Sequence, residues 1–212
     1  MGERDDGEEE AGNGHEPGMN GKGRPEGDET NGAASPLDLQ MPPREPPPPE
    51  VAELAASCVR FVLAKYKVPL DFTPDTLGVL DHYVKEARAE LTTRPEGQAL
   101  LEASIGAYFG EVVRGLFEST WRTAGEYTEW RLSMSEVYLT FNPLGMAREA
   151  LVQDDAPGWH SHLGMHTGEE EEVARRLASL PEVAEDEYYA LSTRFDVIEL
   201  AVEALRARSR RP

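Results

Sequence analysis

The sequence predicts an α+β fold, a single domain of about five or six helices packed on a small antiparallel sheet, with a disordered N-terminal arm before it. Three observations lead to this prediction. Apolar residues recur at helical spacing from residue 50 onward, and the spacing changes to strict alternation between residues 130 and 141. All 16 aromatic residues lie after residue 50, which places the apolar core in the second part of the chain.

The predicted arm comprises residues 1–50. It contains 13 acidic and 4 basic residues, 9 prolines and 9 glycines, and only 8 apolar residues. Such a segment cannot bury enough apolar surface to offset the entropy of ordering its backbone. We therefore expect deletion of residues 1–48 to leave the thermal stability of the domain unchanged. The proline run at 42–49 favours an extended polyproline II spacer, and a docking ligand for an aromatic groove is the alternative.

Residues 51–212 are predicted to form the globular domain, which begins with three long helices. The first covers residues 50–67 and places Cys58 on its inward face, where a lone cysteine behaves as a small apolar group. The second runs to Leu91 from Thr73, whose hydroxyl is predicted to cap it before a proline in the first turn. The third runs from about residue 96 to 117. Its predicted buried side consists of Leu101, Ile105, Tyr108, Phe109, Val112 and Leu116.

The third helix carries two glycines four residues apart, Gly106 and Gly110. One of its faces therefore has a groove in which another backbone can approach closely. The charged residues Glu111 and Arg114 exclude a membrane helix, so we expect the glycines to seat a strand or a helix in the core. Glu111 is predicted to accept a hydrogen bond from an arginine or a backbone amide. A general acid or base with a raised pKa is the alternative.

An antiparallel hairpin is predicted between residues 130 and 141, with a tight connection around Ser135. The apolar residues that alternate with polar ones are Trp130, Leu132, Met134, Val137, Leu139 and Phe141. One face of each strand is thus apolar and is expected to pack on the helices. Asn142 and Pro143 then repeat the cap-and-proline pattern and predict a short helix to about Gln153.

The C-terminal part of the domain is predicted to hold two more helices. Residues 169–180 form the first, which has four acidic residues in its first turn, where they complement the helix dipole. Residues 188–191 are predicted to form a third strand. The last helix begins near Ser192, with Thr193 and Asp196 at the spacing of a capping box.

The strongest candidate for chemistry is the segment 159–166, which contains three of the five histidines. In an extended backbone His160 and His162 would point to the same side, and His166 could fold back across Gly164. Three imidazoles are a known set of ligands for zinc or another divalent metal. The nearby oxygen donors are Asp154, Asp155, Glu169 and Glu170. The spacing matches no standard metal motif, so a weakly chelating exposed loop is the preferred interpretation and a metal site the alternative.

Two stretches resemble a group of uncharacterised bacterial α+β domains. In that group a Ser- or Thr-capped helix with a Leu-Asp pair, here in residues 71–81, precedes a Gly-Ala-Tyr-Phe-Gly-Glu helix, here residues 106–111. A tryptophan and a hairpin follow, as Trp121 and Trp130 do here. The resemblance covers residues 68–142 and implies an α+β fold and a bacterial source. Its motifs are packing motifs, so it implies no activity and no catalytic residue.

The composition also excludes several classes of protein and of binding partner. The chain has no apolar run long enough for a membrane span, no secretory signal and one cysteine, which predicts a cytoplasmic protein. A formal net charge of −19 opposes binding to nucleic acid or to an anionic membrane and favours basic partners. No phosphate-binding loop or nucleophile elbow occurs. We therefore expect a non-catalytic interaction module without a cofactor, such as an adaptor, a regulator or an immunity-like protein. A metal-dependent enzyme or metal-binding protein that uses the histidine segment is the alternative.

Overall fold

The computed structural model describes residues 45–179, 183–184 and 187–210. The predicted arm lies outside the described residues up to residue 44. The described residues have an α+β fold, in which helices pack on a small antiparallel sheet. The helices are α1 (Pro49–Tyr66), α2 (Leu77–Leu91), α3 (Gln98–Leu116), α4 (Pro143–Val152), α5 (Glu170–Leu177) and α6 (Leu191–Ser209). The strands are β1 (Ser119–Arg122), β2 (Arg131–Met134) and β3 (Thr140–Phe141). Short 3-10 turns cover Pro74–Thr76, Pro95–Gly97 and Tyr127–Glu129.

Helix α3 is the centre of the fold, and it packs against α1 and α4. Its residues from Glu102 to Arg114 are buried, apart from the half-buried Glu111. The predicted buried side is confirmed for Ile105, Tyr108, Phe109 and Val112, which are fully buried, and Leu101 is partly buried. Leu116 is instead 46% exposed, because it lies in the last turn, where the helix leaves the core.

Helix α1 follows the end of the proline run. Pro48, directly before it, has the dihedral angles of polyproline II (φ −50°, ψ 142°), and Pro49 occupies the first helical position, where a missing N–H costs nothing. Cys58 is buried on the inward face, as predicted. Burial raises the pKa of its thiol to about 12, because the thiolate would be charged in an apolar environment. Cys58 is therefore a packing residue.

The start of α2 differs from the prediction. Thr73 precedes Pro74 in an extended conformation, but its side chain does not cap the following turn. Its hydroxyl instead donates to Asp71 Oδ1 at 2.6 Å, and its backbone N–H donates to the same oxygen at 3.0 Å. The prediction of a Thr73 cap is therefore wrong, because the side chain is directed back to Asp71, two residues earlier, and accepts from no amide of the following turn.

The two glycines of α3 seat neighbouring elements, as expected. A Cβ atom on Gly106 would lie 2.4 Å from Leu144 Cα, so this glycine allows the first turn of α4 to cross directly over α3. A Cβ atom on Gly110 would lie 2.2 Å from the indole ring of Trp121, which belongs to β1. The groove thus receives both a helix and the side chain of a strand.

The sheet has the order β1-β2-β3, and both pairs of strands are antiparallel. The hairpin between β2 and β3 is confirmed, and Leu132 pairs with Phe141. Its strands are shorter than predicted, since residues 135–139 form the connection. The alternation of buried and exposed side chains continues through that connection: Val137 and Leu139 are buried, and Tyr138 is exposed.

The structure differs from two predictions, those for the third strand and for the start of the last helix. The predicted strand 188–191 is a turn that leads into α6, and the third strand is β1, in which Trp121 pairs with Leu132. Helix α6 begins at Leu191 without a side-chain cap from its own sequence. Its first amides, those of Leu191 and Ser192, donate to the carboxylate of Asp81 in α2 at 2.7 and 3.2 Å. The predicted capping box is therefore wrong, because a carboxylate from another helix takes its role.

The cap of α4 is confirmed. The Asn142 side chain accepts hydrogen bonds from the amides of Leu144 and Gly145 at 2.9 and 3.2 Å, and Pro143 follows at the first helical position. The amide nitrogen of Asn142 also donates to the carbonyl of Tyr127 at 2.8 Å. Asn142 thus joins the N-terminus of α4 to the turn before β2.

Candidate functional site

The histidine segment is docked along the outer edge of β3. Gly164 and Thr140 exchange two backbone hydrogen bonds, of 2.7 and 2.9 Å, in an antiparallel bridge. The amide of Asn142 donates to the carbonyl of His160 at 3.0 Å. These bonds satisfy backbone groups that the edge strand would otherwise leave open, and they give the segment a fixed path.

The three histidines of this segment are exposed and point to different surroundings. His160 has a positive φ of 51°, so the backbone is not extended there and the expected alternation of side chains is lost. The ring of His166 stacks on that of Tyr138, with 3.9 Å between the centroids. His162 follows the buried Ser161. A metal site made of the three histidines stays a prediction.

A buried carboxylate, that of Glu149 in α4, holds the segment from the inside. The side chain of Glu149 is fully buried. Its Oε1 accepts hydrogen bonds from the hydroxyl of Ser161 and from the amide of Ala156, the latter at 3.2 Å. Its Oε2 forms an ion pair with Arg194 of α6 at 2.9 Å. One carboxylate thus connects α4, the histidine segment and α6.

Arg194 is held from both sides. Its guanidinium lies over the rings of Tyr188 and Tyr189, 5.0 and 5.4 Å from their centroids. The hydroxyl of Tyr189 donates to Asp155 Oδ1 at 3.1 Å. The two tyrosines that suggested a strand therefore have a different role, which is to enclose a cation.

Three potential metal ligands meet at the surface of this cluster. Glu149, Asp155 and His162 each offer one ligand atom, and these atoms lie within 4.8 Å of one another. Among the described residues this is the group that the structure brings together, and it contains one of the three predicted histidines. His160 and His166 are not part of it. Asp155 was among the oxygen donors expected from the sequence, whereas Glu149 was not.

Glu111 lies in a cleft of about 280 Å³, whose other lining residues are Pro47, Ala52, Ala55 and Phe72. Its Oε1 accepts hydrogen bonds from Trp121 Nε1 at 2.6 Å and from Arg114 at 3.2 Å. Arg114 also donates to the backbone carbonyl of Glu45 at 2.6 Å. These contacts are those of a structural acceptor, which was the preferred interpretation of Glu111.

Trp130, the last of the predicted structural residues, is buried beside the sheet. Its ring makes edge-on contacts with those of Trp121 and Tyr127, at centroid distances of 6.4 and 4.9 Å. Its Nε1 donates to the carbonyl of Gly125 at 3.4 Å. Trp130 is therefore part of the aromatic packing between the sheet and its turns.

The outer face of α6 carries an acidic stripe, formed by Asp196, Glu199 and Glu203. All three side chains are exposed, while the residues of the opposite face are buried. Positions i, i+3 and i+7 share one side of a helix, and the stripe is about 10 Å long at 1.5 Å per residue. None of the three carboxylates forms an ion pair with a described residue. The stripe ends before the basic last turn of the helix.

No family model, no curated protein and no solved structure matches this chain. The resemblance to the bacterial domain group stays a prediction. No helix in the described part of the chain is both long and apolar enough to cross a membrane.

Sequence reasoning missed Glu149, Arg194 and the acidic stripe. The stripe carries a clear signal, because three acidic residues recur at helical spacing opposite an apolar face. The sequence signal for Glu149 is weaker, because it consists of a single acidic residue among the apolar positions of a short helix. Its partners, Ser161 and Arg194, lie 12 and 45 residues further along the chain, so no local pattern could reveal them.

Proposed function

We propose that this chain is a non-catalytic protein-interaction module that binds a basic protein partner in the cytoplasm. An adaptor, a regulator and an immunity-like protein that neutralises a basic toxin are three forms of this role. The observation that carries the proposal is the acidic stripe of α6. Its carboxylates have no basic partner among the described residues and face away from the core.

Electrostatics explains how such a surface would work. Each exposed ion pair contributes at most about 1 kcal/mol, because water and salt screen it. Several carboxylates in a row act together on an approaching partner, and their attraction extends over a Debye length of about 8 Å at physiological ionic strength. The net charge of −19 adds a long-range attraction that raises the rate of encounter with a basic protein.

The cytoplasmic setting is supported by the cysteine content. The chain has one cysteine, Cys58, and it is a buried free thiol. Proteins of oxidising compartments commonly use disulfides, which this chain cannot form internally.

The proposal is tested with two variants that change the net charge equally. The stripe variant carries Asp196→Asn, Glu199→Gln and Glu203→Gln. The control variant carries Glu53→Gln, Asp75→Asn and Glu118→Gln, three exposed acidic residues outside the stripe. All six changes preserve side-chain shape, so circular dichroism and thermal melting should show folded proteins.

Peptides that bind the wild-type chain are first selected from a random displayed library. We expect them to be rich in lysine and arginine and to bind less tightly as salt is raised. The stripe variant should bind them at least tenfold more weakly, a loss of about 1.4 kcal/mol, and the control variant should bind them like the wild type. Selected peptides without basic residues, or equal binding by the two variants, would contradict the proposal.

A further inference from the structure

We propose that Glu149, Asp155 and His162 form a site for a divalent transition-metal ion, at the junction of α4 and the histidine segment. This site differs from one made of the three histidines, because it uses two carboxylates and a single imidazole. It is also independent of the acidic stripe, which contributes no ligand.

The spacing of the ligand atoms suits a metal after small movements. The three atoms lie within 4.8 Å of one another. An ion that binds imidazole nitrogen and carboxylate oxygen at about 2.0–2.2 Å has its ligands about 3–4 Å apart. Glu149 is buried and fixed, whereas Asp155 and His162 are exposed and can rotate toward it. Closure therefore requires changes in two surface side chains only.

The hydrogen bonds of the cluster leave the necessary lone pairs free. Oε1 of Glu149 already accepts two hydrogen bonds, but Oε2 accepts one, from Arg194, and a carboxylate oxygen has two lone pairs. Asp155 uses Oδ1 for the hydroxyl of Tyr189, so Oδ2 remains available. Neither ring nitrogen of His162 has a hydrogen-bond partner among the described residues. Each of the three residues can thus donate one electron pair to an ion.

The surroundings fit a metal that accepts mixed nitrogen and oxygen ligands. One imidazole and two carboxylates are donors that zinc and cobalt(II) both accept, and three protein ligands leave one position open for water. Ser161 donates to the carboxylate of Glu149 and so fixes its orientation, as outer residues do at established sites. The positive charge of Arg194 offsets one of the two carboxylates, so the site retains a net negative charge before the ion binds.

The test is a zinc titration of the full chain without an affinity tag, followed by calorimetry. The ligand variants are Asp155→Asn and His162→Ala, both at exposed positions, so the fold should persist. The matched control is the double variant His160→Ala/His166→Ala, which removes the two histidines outside the cluster. Absorption of bound cobalt(II) provides a second readout that reports directly on the ligands.

We expect saturable binding of one zinc ion by the wild type and by the double variant. Each ligand variant should bind at least about tenfold more weakly, since even the loss of an outer-shell partner costs that much at known sites. The cobalt spectrum should change in the ligand variants only. Absence of saturable binding by the wild type, unchanged binding by Asp155→Asn, or loss of binding in the double variant would overturn the proposal.

Discussion

At the scale of single residues, the most consequential side chain is Glu149, a buried charge with three partners on two other elements. Burying a carboxylate is costly unless hydrogen bonds and an opposite charge compensate it, and Ser161, Ala156 and Arg194 supply both. The cluster is therefore sensitive to the loss of any one member. Removal of the carboxylate would leave the largely buried guanidinium of Arg194 without this ion pair.

We predict that Glu149→Ala lowers the free energy of unfolding by about 3–5 kcal/mol, because a buried ion pair then loses one partner. Urea unfolding followed by circular dichroism measures the change. Glu53→Ala, at an exposed position of α1, is the control and should stay within about 0.5 kcal/mol of the wild type. A similarly small effect at Glu149 would mean that its contacts contribute little to stability.

The candidate site was only partly predictable from the sequence. The histidines and Asp155 are visible in the sequence as metal-ligand types close together. Which of them converge depends on the positive φ of His160 and on the stacking of His166 against Tyr138. Both features are set by the docking of the segment on β3, which no local rule specifies.

At the scale of elements, the packing of α4 on α3 depends on the absence of one side chain. Gly106→Ala would place a methyl group 2.4 Å from Leu144 Cα, and a backbone atom cannot rotate away. We predict a loss of about 1–3 kcal/mol or more in the free energy of unfolding, measured by urea unfolding.

Gly78→Ala is the matched control, because a Cβ atom there meets nothing within 4 Å. Alanine is a better helix former than glycine by up to about 1 kcal/mol, so this variant should be neutral or more stable. Equal effects of the two substitutions would contradict the close packing of α3 and α4.

Most helices were predictable because their signals are local. Apolar spacing identified α1, α2 and α3, and the pair Asn142–Pro143 marked the start of α4. Strand β1 was missed because Trp121 is the one apolar residue among its four, so its sequence shows no alternation of apolar and polar residues. The sequence at 188–191 favoured a strand, but tertiary contacts of the two tyrosines with Arg194 outweigh that preference.

At the scale of the whole molecule, the boundary of the stable domain lies before the proline run ends. Residues 1–44 contain few apolar groups, so we predict that deleting them leaves the thermal midpoint unchanged. Deleting residues 1–48 should lower it by a few degrees, a revision of the expectation from sequence. That deletion removes the carbonyl of Glu45, which accepts from Arg114, and the carbonyl of Pro48, which accepts from Ala52.

Thermal melting of the two truncated chains beside the full chain tests this boundary. A lower midpoint after deletion of residues 1–44 would mean that this part of the chain stabilises the domain. Equal midpoints for the two truncated chains would mean that the contacts of residues 45–48 contribute nothing measurable.

The cap that Asp81 provides for α6 has a consequence for how the domain comes apart. The carboxylate and the amide of Leu191 are 110 residues apart in sequence, so this contact joins two helices from distant parts of the chain. If α6 detached alone, Asp81 would lose the two amides that donate to it, and Glu149 would lose its ion pair with Arg194. These contacts oppose partially opened forms, so we expect the C-terminal helix to unfold together with α2 and α4 as one cooperative unit.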